Sequence, residues 1–157
     1  LEILQECPEI HHFFCPIGGG GLLSGCATAF KESHTTVTIH GIEPAGAADY
    51  AASRQTGKRE HWSEIHTIAD GLRAAAVGEL NYPILNRYVD VVHVVSDEEI
   101  KKAMKKLYNQ MEIVTEPSGC ASLAGFLAQH KQIQGNIVIL ISGKNVDQAS
   151  FEQWLKE

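Results

Sequence analysis

The chain has no apolar stretch approaching the roughly 18 residues that a membrane-spanning helix needs, and its opening residues do not read as a signal peptide. No membrane partner is expected. Basic residues never run more than two together and the formal net charge is −6. The clustered cationic face of a nucleic-acid binder is therefore missing. The four cysteines, Cys7, Cys15, Cys26 and Cys120, show no C-x-x-C spacing, which argues against a zinc site or a disulfide framework and for reduced, mostly buried thiols. The eight histidines show no H-E-x-x-H or other ligand spacing, so each is expected to be a surface or strand residue. Repeats, low-complexity segments and linkers are also absent. What remains is a 157-residue chain, 44% hydrophobic and 20% charged, which suits one globular α/β domain over residues 1–157 in a cytoplasmic protein. It opens at Leu1, without Met, inside the helix-like run of Leu1, Ile3 and Leu4. A piece of something longer is the expectation.

Short β-rich runs at 12–17, 37–42, 91–95 and 137–141 alternate with helical patterns. The runs are continuous rather than alternating in polarity, as in strands buried on both faces. Helices are expected over 22–32, over 97–111, where Ser96 and Glu99 form a capping box, over 119–130, and more weakly after Asn81 with Pro83 in the first turn. Lys101, Lys102, Lys105 and Lys106 form the solvated face of the second helix, and Trp62 and Trp154 are packing residues. This alternation predicts a mostly parallel sheet flanked by helices, with ligands beyond the carboxyl ends of the strands.

Gly18, Gly19, Gly20 and Gly21 lie between one such strand and a helix. Backbone free of Cβ atoms can take positive φ and converge its amides on an anion at a helix start, so a phosphate cradle is read here in preference to a plain loop. Neither the P-loop nor the G-x-G-x-x-G register is matched. Ser142, Gly143, Lys144 and Asn145 follow another strand more than a hundred residues later and can reach the same crevice.

Five blocks then stand in order: Pro16-Ile17-Gly18-Gly19-Gly20-Gly21-Leu22-Leu23-Ser24-Gly25, Gly41-Ile42-Glu43-Pro44, Thr67-Ile68-Ala69-Asp70-Gly71, Glu116-Pro117-Ser118-Gly119, and Ile141-Ser142-Gly143-Lys144-Asn145-Val146-Asp147. Over nearly its whole length the chain resembles the C-terminal half of the serine racemase and threonine/serine dehydratase family, pyridoxal-phosphate enzymes of the tryptophan-synthase-β fold. The resemblance implies that Gly18, Gly19, Gly20, Gly21 and the Leu22 amide hold the cofactor phosphate, that Ser142 meets the pyridine nitrogen, and that Gly71 lies near the ring. Without the resemblance Ser142 reads as a helix N-cap and Gly71 as a turn glycine. Glu116 sits either beside the ring or at a helix N-terminus.

Glu43 and Asp49, with the Ala47 carbonyl between them, supply three oxygen ligands for a hard cation. Alone they read as surface charges; in the family's frame they imply a Mg²⁺, Ca²⁺ or Mn²⁺ site with a structural, activating role. The implied activity is that of an ammonia-lyase converting L-threonine or L-serine to a 2-oxo acid and ammonia. Serine racemase is the alternative, and a non-catalytic fragment a further one. A homo-oligomer, a dimer, is implied for the full-length form. The lysine that attaches the cofactor belongs to an upstream segment not present here, so no catalytic residue is assigned and this piece alone is expected to be inactive. Lys144 replaces a glycine of the family's turn; it crowds the cofactor, restricts the backbone or, as favoured, points to solvent.

Overall fold

The computed structural model describes residues 1–33 and 36–156. His34 therefore lies outside the described residues. Helix α1 (Glu2–Glu6) precedes β1 (Ile10–Pro16), α2 (Gly21–Glu32) and β2 (Thr38–Pro44). A 3₁₀ turn (Ala45–Ala47) leads into α3 (Asp49–Thr56), and a second (Asp70–Leu72) comes before α4 (Asn81–Tyr88), β3 (Val91–Val95) and α5 (Asp97–Met111). The chain ends with α6 (Pro117–Gln129), a 3₁₀ turn (His130–Gln132), β4 (Asn136–Ile139) and α7 (Gln148–Lys156). All neighbouring strands pair in parallel, in the order β3-β2-β1-β4.

Side chains on a strand alternate between faces, and the apolar runs use both. Phe13, Cys15 and Ile39 pack with Leu23, Ala27 and Phe30 of α2 and Leu85 of α4. Phe14, Ile42 and Val95 pack on the opposite face with Ile100 and Met104 of α5, Cys120 and Ala124 of α6 and Phe151 of α7. Helix α6 comes close enough to β2 that a Cβ on Gly125 would stand 2.5 Å from Ile42 Cγ1. The expected capping box opens α5: Glu99 N donates to Ser96 Oγ at 3.2 Å, and Ser96 N donates to Glu99 Oε2 at 2.7 Å.

Three local expectations need correction. Helix α6 starts at Pro117, two residues before the predicted 119, because proline fits the first helical turn. Helix α3 was not predicted; its residues were read only as part of a carboxylate loop. Helix α7 was missed as well, although Asp147 Oδ2 accepts from Ser150 N at 2.9 Å, and Phe151, Trp154 and Leu155 line up on the face that meets the core. All four cysteines are free, with Cys15 and Cys120 buried and Cys7 and Cys26 half-buried.

Candidate functional site

At the exit of β1 the chain turns through the four glycines into α2. Gly20 is the N-cap, with φ +83°, a left-handed conformation that glycine adopts without penalty. A Cβ there would also stand 2.9 Å from Leu85 Cδ1. The Gly19 carbonyl accepts from Asn81 Nδ2 at 2.7 Å and from Gly78 N at 3.0 Å. In a trans peptide the Gly20 N–H then points the opposite way, away from α4. The first amides of α2 have no intrahelical acceptors, and the helix dipole adds a positive partial charge at this end.

The second 3₁₀ turn closes against this loop: a Cβ on Gly18 would lie 3.1 Å from Leu72 Cα. Gly71 N donates to Ser118 Oγ at 2.8 Å, tying that turn to the start of α6. The turn after β4 is stitched to the same helix end. Ser142 N donates to Gly119 O at 3.3 Å, Glu116 N to Gly143 O at 3.3 Å, Thr115 Oγ to Gly143 O at 3.0 Å and Asn145 N to Glu116 Oε2 at 3.0 Å. Gly143 has φ +64°, and a Cβ on it would reach 2.4 Å from Glu116 Oε1.

One cavity of about 200 Å³ results. Gly18, Gly19, Gly20, Gly21, Leu22, Gly71, Glu116 and Ser142 all line it, together with Pro16, Leu72 and Ser118, which the sequence reading had not singled out. Ser118 was legible only as part of a block, since its bond to Gly71 joins residues 47 apart. Glu116 stands at the N-cap position of α6, but its side chain makes no capping bond there; it lines the cavity and accepts from the Asn145 amide. Ser142 is not a helix cap; Asp147 caps α7 instead. Lys144 is exposed, and no lysine lines the cavity. A recess of about 330 Å³ adjoins across Glu116, with Asp70, Arg73, Asn145 and Asp147 among its walls. The Arg73 guanidinium is already held there by the Thr67 carbonyl, at 2.9 Å from Nε.

Glu43 and Asp49 are not the surface charges that their spacing alone suggests. Glu43 is fully buried, its Oε1 accepting from Tyr50 N at 2.9 Å and its Oε2 from Ala51 N at 2.7 Å, in the first turn of α3. Burial pushes its carboxyl up to about 8, against the pull of those two amides. Asp49 is buried too; its Oδ2 accepts from Val77 N at 2.8 Å, and burial raises its carboxyl as well. Among the described residues no group of three or more His, Cys, Asp or Glu side chains is placed to hold a metal ion. This frame has two carboxylates and a main-chain carbonyl.

Residues 1–143 match the family model described as pyridoxal-phosphate dependent enzyme. The chain belongs to the pyridoxal-phosphate dependent enzyme family. Among its relatives, a serine racemase of Oryza sativa subsp. indica is 42% identical over 153 residues, covering 94% of this chain and 45% of that protein. An L-threo-3-hydroxyaspartate ammonia-lyase of Saccharomyces cerevisiae is 38% identical over 147 residues, covering 93% of this chain and 45% of that protein. The solved structure of the processed form of threonine deaminase isoform 2 from Solanum lycopersicum superposes with a TM-score of 0.92 at 34% identity, covering 99% of this chain and 46% of that one. The chain thus spans less than half the length of these relatives. The fold is that of the tryptophan-synthase-β-like pyridoxal-phosphate enzymes, as the resemblance implied. The cavity's chemistry fits the family's cofactor at two of its ends: a Cβ-free amide cradle suits a dianionic phosphate, and a half-buried serine hydroxyl suits a ring nitrogen. No helix of the described residues is long and apolar enough to cross a membrane.

Proposed function

We propose that this chain is the cofactor-cradling portion of an ammonia-lyase that dehydrates and deaminates L-threonine or L-serine to a 2-oxo acid and ammonia. The observation that carries the reading is the single cavity shared by the glycine loop and Ser142. Pyridoxal phosphate, when bound, supplies an electron sink for the pair released at the Cα of an amino acid. The chain's own residues set how that sink behaves. Amides of Gly18, Gly19, Gly20, Gly21 and Leu22 would hold the phosphate, Gly71 would leave room beside the ring, and the Ser142 hydroxyl would meet the pyridine nitrogen. A neutral hydroxyl would keep that nitrogen less firmly protonated than a carboxylate, which would moderate the sink. Glu116 fixes the backbone of the Ser142 turn through the Asn145 amide.

Serine racemisation is the second reading, supported by the 42% identity to the rice enzyme. Glu43, Ala47 and Asp49 are proposed to bind Mg²⁺, Ca²⁺ or Mn²⁺: their donors are hard oxygens, and two buried carboxylates need a proton or a cation to offset their desolvation. The full-length form is proposed to be a dimer.

The test has two parts. The chain should bind pyridoxal phosphate in equilibrium dialysis, in competition with inorganic phosphate, and borohydride should fix no cofactor on Lys144. Absence of binding overturns the cradle. In the full-length protein, L-threonine or L-serine should yield 2-oxo acid and ammonia as main products; D-serine as the main product turns the assignment to racemase.

A further inference from the structure

Three histidines that no sequence spacing connects meet across the sheet. His12 of β1 places Nδ1 3.0 Å from Nε2 of His40 on β2, and His40 Nδ1 lies 2.9 Å from Nε2 of His93 on β3. The central ring, 4% exposed, stacks on Phe14 at 4.2 Å with 3° between planes and on His93 at 5.2 Å with 15°. Phe14 meets Phe126 of α6 edge-on at 5.6 Å. The ladder lies on the face covered by α5 and α6, while the cofactor cavity lies beyond the strands' carboxyl ends.

Counting protons limits what such a ladder can hold. Each N···N contact accommodates one proton, because a nitrogen either donates or accepts. Three neutral imidazoles carry three ring protons: two occupy the contacts and the third must sit on an outer nitrogen, His12 Nε2 or His93 Nδ1. The neutral ladder is polarised one way or the other, with all three rings Nε2–H or all three Nδ1–H, and one further proton fits on the outer nitrogen left free, with both contacts intact. A second has no place except inside a contact, where it sets N–H against N–H.

We infer that His12, His40 and His93 form one proton-binding unit that accepts a single proton at one end of the ladder and parts at a ring-to-ring contact when it takes another. The surroundings agree. The residues that α5 buries against this core, Ile100, Ala103, Met104 and Leu107, are apolar. α6 offers Phe126, and His130 just beyond it bonds Leu127 O through Nδ1. Among neighbouring titratable groups, His11 disfavours charge on His12, and Asp90, itself bound to Lys31 and to Ile39 N, favours charge on His40. Burial lowers all three rings, and the two flanking rings help hold the central His40 down to about 4, so the first proton enters at an outer nitrogen and not at the centre.

Ring-nitrogen NMR of the ¹⁵N-labelled chain from pH 8 to pH 4 tests this. At pH 8 all three rings should be the same tautomer. On acidification one outer nitrogen, His12 Nε2 or His93 Nδ1, should protonate first, by one equivalent, with the ring-to-ring contacts intact. Uptake of a second proton should coincide with loss of the cross-strand ring-to-ring contacts. His130→Gln should leave the first step in place, whereas His40→Asn, which breaks both contacts, should replace it by separate titrations of His12 and His93. Mixed tautomers at pH 8, three independent titrations in the parent chain, or two protons bound with the contacts intact would overturn the inference.

Discussion

Adding one methyl group at Gly119 should separate Ser142 from the glycine loop. The first turn of α6 runs so close to the strand-exit turn that a Cβ on Gly119 would lie 1.6 Å from the Ser142 carbonyl oxygen, 2.6 Å from the Gly143 oxygen and 2.6 Å from Thr115 Oγ. Real Cβ atoms essentially never approach within 3.0 Å of a neighbour, so in Gly119→Ala the Ser142 carbonyl must retreat by about 1.4 Å. In the proposed binding mode, a hydroxyl carried with it would move from the usual 2.7–3.0 Å of a hydrogen bond to roughly 4 Å from its partner. One hydrogen bond is worth about 1 kcal/mol net, or roughly a fivefold loss of pyridoxal phosphate affinity, and overpacking costs a further ~1–3 kcal/mol of folding stability. Equilibrium dialysis and urea unfolding measure the two effects. Ser142→Ala separates them, because it deletes the hydroxyl without moving the turn: affinity should fall by a similar factor at nearly unchanged stability. A Gly119→Ala protein with parental affinity and parental stability would refute the close-packing argument.

Other outcomes follow from the same geometry. Burial holds the three ladder histidines below the ordinary 6.5, the central His40 furthest, at about 4, so from 6.5 downward the unfolded chain binds more protons. The associated stability is complete above pH 6.5 and is lost as pH falls through that window, by about 1.4 kcal/mol per pH unit for each proton of difference. His40→Phe should flatten that part of the stability profile measured by chemical denaturation, and an unchanged slope would contradict it. Mg²⁺, Ca²⁺ or Mn²⁺ at about 100 times its dissociation constant should stabilise the chain by ~2.7 kcal/mol; thermal unfolding should register a rise that Asp49→Asn removes, and no rise with any of the three would end the cation proposal. Ser96→Ala takes away the Glu99 amide's acceptor at the head of α5 and should cost about 1 kcal/mol in urea unfolding.

The comparison of sequence with structure turns on range. The range of α5 was legible to the residue because its capping box and 3.6-residue periodicity are local. β3 was legible because four valines around one histidine, between Asp90 and Ser96, leave little freedom for its ends. The glycine loop was legible as a strand-to-helix turn that needs left-handed backbone. Three features were not legible. α3 was hidden by the carboxylates at its head, which draw attention as ligands although Glu43 accepts the helix's own amides. The bond from Gly71 to Ser118 joins residues 47 apart. The histidines looked unrelated because strand pairing, not spacing, puts them side by side.

Residue order by itself determined that four strands alternate with helices, where the capped helix α5 begins, and which backbone stretch takes a left-handed turn into α2, since each of these depends on side chains or missing Cβ atoms within a few positions. Burial on both faces belongs to the central β1 and β2, while the edge strands β3 and β4 are partly exposed. Tertiary structure decided that Ser142 reaches the glycine loop, that Glu43 is buried rather than solvated, and that three imidazoles share their protons. Those outcomes depend on strand order and on how closely α6 approaches the sheet, neither of which any local pattern encodes.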